Sequence, residues 1–187
     1  MTVAVRPAVE DDLAAVAEIR VRSWQAAYRG IVPQGYLDSM RPEADADRRR
    51  ARFAAGSLDS RQDAVGTIAG APAGWVAFGP YRDDDRPSSG PGEIYAIYVH
   101  PDHWGCGVGR ALIRYAVREL RAAGMAPVLL WVLEQNARAR RFYERAGFRP
   151  DGGRHLFEIA GVQLPELRYR HGRGWFRPPA NLRRRRP

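Results

Sequence analysis

One segment limits the fold more than any other: a strand, a glycine-rich turn, an amphipathic helix and a second strand, spread over residues 93–133. Glu93-Ile94-Tyr95-Ala96-Ile97-Tyr98-Val99 is β-branched and aromatic, the composition of a pleated, half-buried strand. From about Gly107 to Ala123, Val108, Leu112, Ala116 and Leu120 recur every four residues, while Arg110, Arg114, Arg118 and Arg121 lie on the other side. That spacing predicts a helix with one apolar stripe, stopped by Gly124. Val128-Leu129-Leu130-Trp131-Val132-Leu133 is apolar throughout, as in a strand buried on both faces. A strand that returns through a helix to another strand argues for an α/β fold with at least one parallel pair.

The flanking sequence extends this unit. Val3-Ala4-Val5-Arg6 reads as a short strand ended by Pro7, and Glu10-Asp11-Asp12 supplies acids for the first turn of a helix to about Tyr28. Gly30 and Pro33 break that helix, and a second covers about 43–56. Residues 63–69 and 73–80 read as a hairpin turning at Gly70-Ala71-Pro72, and Asp83 to Gly92 as a polar loop. Asn136 caps a helix to Ala146, stopped by Gly147, and strands at about 148–158 and 163–170 follow.

Charge sorts the partners. The chain of 187 residues has a formal net charge of +9, with arginine as its only strong base. Residues 168–187 carry eight of the arginines and no acid, which leaves 22 arginines against the 21 acids of the rest. The body is therefore nearly neutral, and any nucleic-acid contact is expected only through the tail, whose plainer reading is a solvated, flexible end. Absence of lysine excludes a P-loop and Schiff-base chemistry. A lone cysteine, Cys106, excludes an internal disulfide and a cysteine-cluster zinc site, and no metal is expected. With no apolar signal core and no membrane-length run, the expected location is the cytoplasm.

Trp104-Gly105-Cys106-Gly107-Val108-Gly109 joins the strand to the helix. Glycines let a backbone approach a ligand, and a helix N-terminus presents unpaired N–H groups with a positive dipole end, so the turn suits a pyrophosphate. It equally suits tight packing. A Rossmann fingerprint fails, since its third glycine would fall at Arg110.

The stretch from Tyr98 to Gly109 resembles the phosphate loop of the GCN5-related N-acetyltransferase (GNAT) superfamily, Gln/Arg-x-x-Gly-x-Gly/Ala, and Asn136 to Phe148 resembles its N-x-x-A-x-x-x-Y-x-x-x-G-F pattern. Arg22 to Gly30 also resembles bacterial members. Trp104 departs from the family, standing where it has Gln or Arg. The resemblance spans roughly residues 3–170. It implies a three-layer α/β/α fold on a mixed sheet with a splayed fourth and fifth strand, a domain over residues 1–172 and a basic tail over 173–187.

The resemblance also implies an acetyl-CoA-dependent N-acetyltransferase, transferring acetyl directly to a primary amine of a small molecule or peptide. Ile97, Tyr98 and Val99 would supply a backbone N–H to the thioester carbonyl. Trp104, Gly105, Cys106, Gly107, Val108, Gly109 and Arg110 would hold the pyrophosphate, with Trp104 either a ligand or a packing group. Glu93 is the candidate base, or a solvated strand end, and Tyr143 the candidate acid. Asn136 would contact the pantetheine arm, cap its helix, or both. Trp24, Tyr28 and Tyr95 are candidate acceptor contacts, with the Asp83–Asp85 loop as an attractor for a cationic amine. Family members often dimerise, and Trp175-Phe176 is a candidate interface. The alternatives are a non-catalytic CoA-binding regulator and a nucleic-acid-associated protein acting through the arginine tail.

Overall fold

The computed structural model describes residues 2–54, 61–82 and 90–172. The arginine tail from residue 173, Trp175-Phe176 and the Asp83–Asp85 loop lie outside the described residues.

Among the described residues seven strands form one sheet: β1 (Val3–Pro7), β2 (Gln62–Ile68), β3 (Ala71–Pro80), β4 (Gly92–Val99), β5 (Val128–Leu133), β6 (Phe148–Ile159) and β7 (Val162–His171). Their spatial order is β1-β2-β3-β4-β5-β7-β6. Among these described strands only β4 and β5 run parallel, the pair joined through a helix. Among the described residues there are five α-helices, α1 (Leu13–Ala27), α2 (Gln34–Ser39), α3 (Pro42–Ala54), α4 (Val108–Ala122) and α5 (Ala137–Arg145), with α2 and α3 packed on α1.

Strand alternation distributes the core between two faces. Ala64 of β2 with Val76 and Phe78 of β3 packs against Val108, Leu112 and Ala116 of α4, and Tyr143 of α5 belongs to the same cluster. The intervening Val65, Trp75 and Ala77 pack against Val16 of α1. The architecture is thus α/β/α, as the resemblance implies. The apolar stripe of α4 is buried as its spacing predicts, with Ile113 beside it. Its first turn lies directly on the sheet: a Cβ at Gly74 would sit 2.8 Å from Val108 Cγ1 and 3.0 Å from the Tyr98 carbonyl oxygen.

Two local readings change. The hairpin turns at Ala69-Gly70, both at positive φ, so Ala71 and Pro72 already belong to β3. Pro33 does not simply break the chain: it precedes α2, whose Leu37 is fully buried against Trp24 and Leu133. Six residues are too few to show a helical period in sequence, and it is tertiary packing that holds this turn and a half.

Candidate active site

The sheet opens at its centre. β4 and β5 pair only through Gly92–Ile94 and Val128–Leu130. Beyond that point β4 stays with β3 to Val99, while β5 stays with β7 to Leu133. The cause is local. Between Ala77 and Phe78 the β3–β4 register shifts, so that Tyr95 is an extra residue in β4 immediately after its last partner on β5. A bulge of this kind bends and twists its strand. The His100 N–H bonds to the Ala73 carbonyl on β3 at 2.9 Å. Backbone groups alternate along a strand, so Tyr98 faces β3 as well, and Ile97 and Val99 face the opening.

A cavity of about 330 Å³ occupies this opening. Ser23 and Ala27 of α1 and Tyr28 at its C-terminal cap line it on one side of the sheet, and Ala139, Phe142 and Tyr143 of α5 on the other. Ile97, Tyr98 and Val99 form the β4 wall.

At one end lies the start of α4, where Gly105, Gly107, Val108, Gly109 and Arg110 line the cavity. Gly107 caps the helix at φ 86° and Gly105 stands at φ 87°, conformations that side chains rarely adopt, with open space where a Cβ would be. The first backward bond of the helix is from Ala111 to the Gly107 carbonyl, at 3.0 Å. The N–H groups of Val108, Gly109 and Arg110 therefore have no acceptor within the helix, and no acid occupies its first turn. This cradle fits an anion such as a pyrophosphate.

Trp104 lines the cavity, but its single N–H is used: it donates to the Val99 carbonyl at 2.8 Å. The same carbonyl accepts from Ser23 Oγ at 2.9 Å. Trp104 thus fastens the end of β4 and offers the loop no donor, so a direct hydrogen bond from it to phosphate is excluded in this arrangement. Arg138 of α5 lies over its ring, 3.6 Å from the centroid, and lines the cavity. The indole holds a guanidinium at the loop mouth by cation–π contact, restoring in space the charge that the sequence motif lacks. Sequence reasoning missed Arg138 and Ser23. Arg138 stands inside the α5 motif two residues after Asn136, but its nearness to Trp104 is a tertiary fact.

Asn136 Oδ1 accepts from the Ala139 N–H at 3.0 Å, capping α5, and the residue also lines the cavity. Tyr143 reaches the cavity from the buried side of α5. Burial pushes its phenol well above the ordinary tyrosine value, and Tyr98 and the carboxylate of Glu166 add to the rise. Burial likewise raises Tyr28 and Tyr98. Three neutral phenols therefore surround the opening at neutral pH.

Residues 14–148 match the model of the acetyltransferase (GNAT) family. YuaI of Bacillus subtilis (strain 168), an uncharacterized N-acetyltransferase, is 33% identical over 174 residues, 92% of each chain. This protein belongs to the GNAT acetyltransferase family. Its enzyme class is that of the acetyl-CoA-dependent N-acetyltransferases. The L-amino acid N-acyltransferase MnaT of Escherichia coli (strain K12) is 29% identical over 131 residues, 69% of this chain and 68% of that one. The structure of yncA from Salmonella typhimurium, determined with its cofactor acetyl-CoA, shares the fold at a TM-score of 0.65 and 24% identity, over 91% of this chain and 93% of that one.

Four of the expected site residues of this GNAT protein stand elsewhere. Glu93 is fully buried and does not line the cavity. It sits at the paired end of β4, where the Arg82 backbone N–H donates to it at 3.2 Å and the Arg82 guanidinium grips both its oxygens. A carboxylate held this way fastens the end of β3 to β4 and is not presented to an acceptor. Tyr95 is the bulge residue, and its hydroxyl donates to the Pro80 carbonyl while Arg61 and Arg82 lie near its ring, so it is not a cavity contact. Trp24 stands behind Tyr28, edge to face at 4.8 Å, as a support. Cys106 is an exposed thiol and not part of the cavity lining. Among the described residues, no group of three or more histidine, cysteine or acidic side chains could hold a metal, and no helix is long and apolar enough to cross a membrane.

Proposed function

We propose that this protein transfers the acetyl group of acetyl-CoA directly to the primary amine of a small molecule or peptide, with donor and acceptor bound together. The observation that carries this reading is one cavity passing through the β4–β5 opening, walled by α4 and α5 on one side of the sheet and by α1 on the other. Donor and acceptor would meet from opposite faces, and positioning of this kind can supply about 7–11 kcal/mol of a barrier.

The α4 N–H groups with Arg110 and Arg138 would hold the pyrophosphate, and Asn136 and the open edge of β4 would hold the pantetheine arm. When bound, acetyl-CoA supplies a thioester whose carbonyl can be attacked by an amine. The N–H groups of Ile97 and Val99 face that carbonyl position and would stabilise charge gathering on its oxygen. Tyr143 would donate a hydrogen bond to the departing sulfur. Its raised pKa keeps the phenol protonated through the neutral and mildly alkaline range. Tyr28 and Ser23 border the acceptor side. A name such as L-amino acid N-acyltransferase for a 29% relative supports a compact amine as acceptor.

The test is thermal unfolding with acetyl-CoA, NAD or ATP, followed by thiol release across a panel of amines. At 100 dissociation constants a ligand of the folded state adds about 2.7 kcal/mol, a shift of several degrees. A shift with acetyl-CoA alone, with amine-dependent thiol release, is the expected result. Binding without release for any amine would leave the non-catalytic regulator as the better reading.

A further inference from the structure

With Glu93 held by Arg82, the amine needs another proton acceptor. An ammonium has no lone pair, so at neutral pH some group must take its proton before attack. A carboxylate or an imidazole on the proposed acceptor face of the sheet, near the opening, would serve.

Glu166 of β7 meets these conditions. It is the cross-strand partner of Leu133 on β5 and of His155 on β6. Cross-strand partners share a face, so the three side chains lie together. That face is the acceptor face, because Leu133 packs in one cluster with Trp24, Tyr28 and Tyr98. Leu133 ends the arm of β5 that has left β4, which puts Glu166 one strand, roughly 5 Å, from the mouth of the opening. His155 Nε2 lies 2.8 Å from Glu166 Oε2, both side chains 17% exposed, sheltered yet reachable by water. Trp131 stands edge-on to the His155 ring at 4.1 Å and fixes its plane. Of the other acids nearby, Asp151 pairs with Arg168, Glu134 just past β5 pairs with Arg154, and Glu158 of β6 alternates with Phe157 and Ile159 and so lies on the opposite face. Beyond the burial that dominates, the Glu166 charge also raises the phenols of Tyr28, Tyr98 and Tyr143, all of which line the cavity. Its field reaches the place where an ammonium would arrive.

We infer that Glu166, oriented by His155, receives the ammonium form of the acceptor and is the proton acceptor for its attack. This rests on the N-acetyltransferase reading above. The ammonium gives one proton to the Glu166 carboxylate, directly or through a water. The freed lone pair forms the C–N bond to the acetyl carbon while the C–S bond breaks. The second nitrogen proton ends on the sulfur, beside the Tyr143 hydroxyl, and the Glu166 proton leaves through His155 to solvent. Acetyl-CoA and ammonium thus become amide, free thiol and one released proton. The charged groups on this face are His155 in contact with Glu166, Arg168 of β7 paired with Asp151, and, from α1, Arg20 over the Trp24 ring and paired with Asp45.

The experiment compares kcat and KM of wild type, Glu166→Gln, Glu166→Asp and His155→Gln from pH 6 to 10 with an amine that wild type acetylates. The acetyl-CoA thermal shift serves as the folding control. Glu166→Gln should keep that shift, lose about 100-fold or more in kcat at neutral pH, and recover as pH rises and free amine becomes available. Glu166→Asp should retain part of the rate, and His155→Gln should lose less and shift the acid limb of the profile. A well-folded Glu166→Gln with kcat and KM within threefold of wild type across this range would overturn the assignment and leave the N-acetyltransferase reading standing. Were Glu166→Gln unfolded, wild-type pH dependence in Glu166→Asp and His155→Gln would overturn it equally. A wild type that binds acetyl-CoA but acetylates no amine would overturn both.

Discussion

The two faces of the sheet hold their polar groups by different means. On the face of α4 and α5 the polar elements at the cavity are mainly local: the N–H groups of one helix turn and Asn136 capping its own helix. On the face of α1 the polar side chains, only Ser23 of them at the cavity itself, are tied to groups distant in sequence: Ser23 to Val99, Arg20 to Asp45, Arg168 to Asp151, His155 to Glu166. A site of backbone groups on rigid elements suits a donor of constant shape. A site of paired side chains can be re-specified by few substitutions, which would suit the acceptor side of the proposed reaction.

That contrast can be broken by measurement. The largest expected effect is on stability at the closed end of β4. Arg82→Ala leaves Glu93 buried without its guanidinium, and urea unfolding should show a loss of about 3–5 kcal/mol, with kcat per folded molecule near wild type. If Glu93→Gln gave a stable protein without activity, Glu93 would be part of the chemistry and the division between the faces would fail.

Tyr143→Phe comes next. It should cost about 100-fold in kcat with the acetyl-CoA thermal shift preserved. Because the phenol lies above its ordinary value, the wild-type rate should show no decline from this group between pH 7 and about 10. An alkaline limb in that range that vanishes in Tyr143→Phe would contradict the raised pKa.

Gly74→Ala tests whether the donor face depends on close approach. A Cβ there meets Val108, Leu112 and the Tyr98 carbonyl at 2.8–3.0 Å. The overpacking should cost about 1–3 kcal/mol, and acetyl-CoA affinity should fall with it as the α4 N-terminus moves. Unchanged affinity would separate the cradle from the packing beneath it. The smallest effect is expected at Arg138: Arg138→Ala should weaken acetyl-CoA by about tenfold, near 1.4 kcal/mol, more at low salt than at high, with Arg138→Lys intermediate. An effect equal in Arg138→Lys and Arg138→Ala would mean that the stacked plane, not the charge, is what matters.

The donor half was legible because its signals are short-range. Four-residue apolar spacing in α4, the glycines at positive φ, and the Asn136 cap each lie within one or two turns of chain. The acceptor half was not. Glu93 carries the same letter whether it faces an amine or Arg82, and what separates the two is the polypeptide beside it. Trp104 looked like a weakened ligand because its acceptor, the Val99 carbonyl, is invisible to a motif. Glu166 and His155 lie in a hairpin with no chemical motif at all.

By itself, then, the sequence determined every strand and all the helices but α2, their order, the parallel crossover and the family, since hydrophobic period and turn chemistry act over a few residues and survive any arrangement around them. The tertiary structure decided where the sheet opens, which carboxylate is held by an arginine, and which is paired with a histidine. Those outcomes depend on a single extra residue in β4 and on cross-strand register, and only the folded chain brings such distant groups within the few ångströms over which hydrogen bonds and ion pairs act.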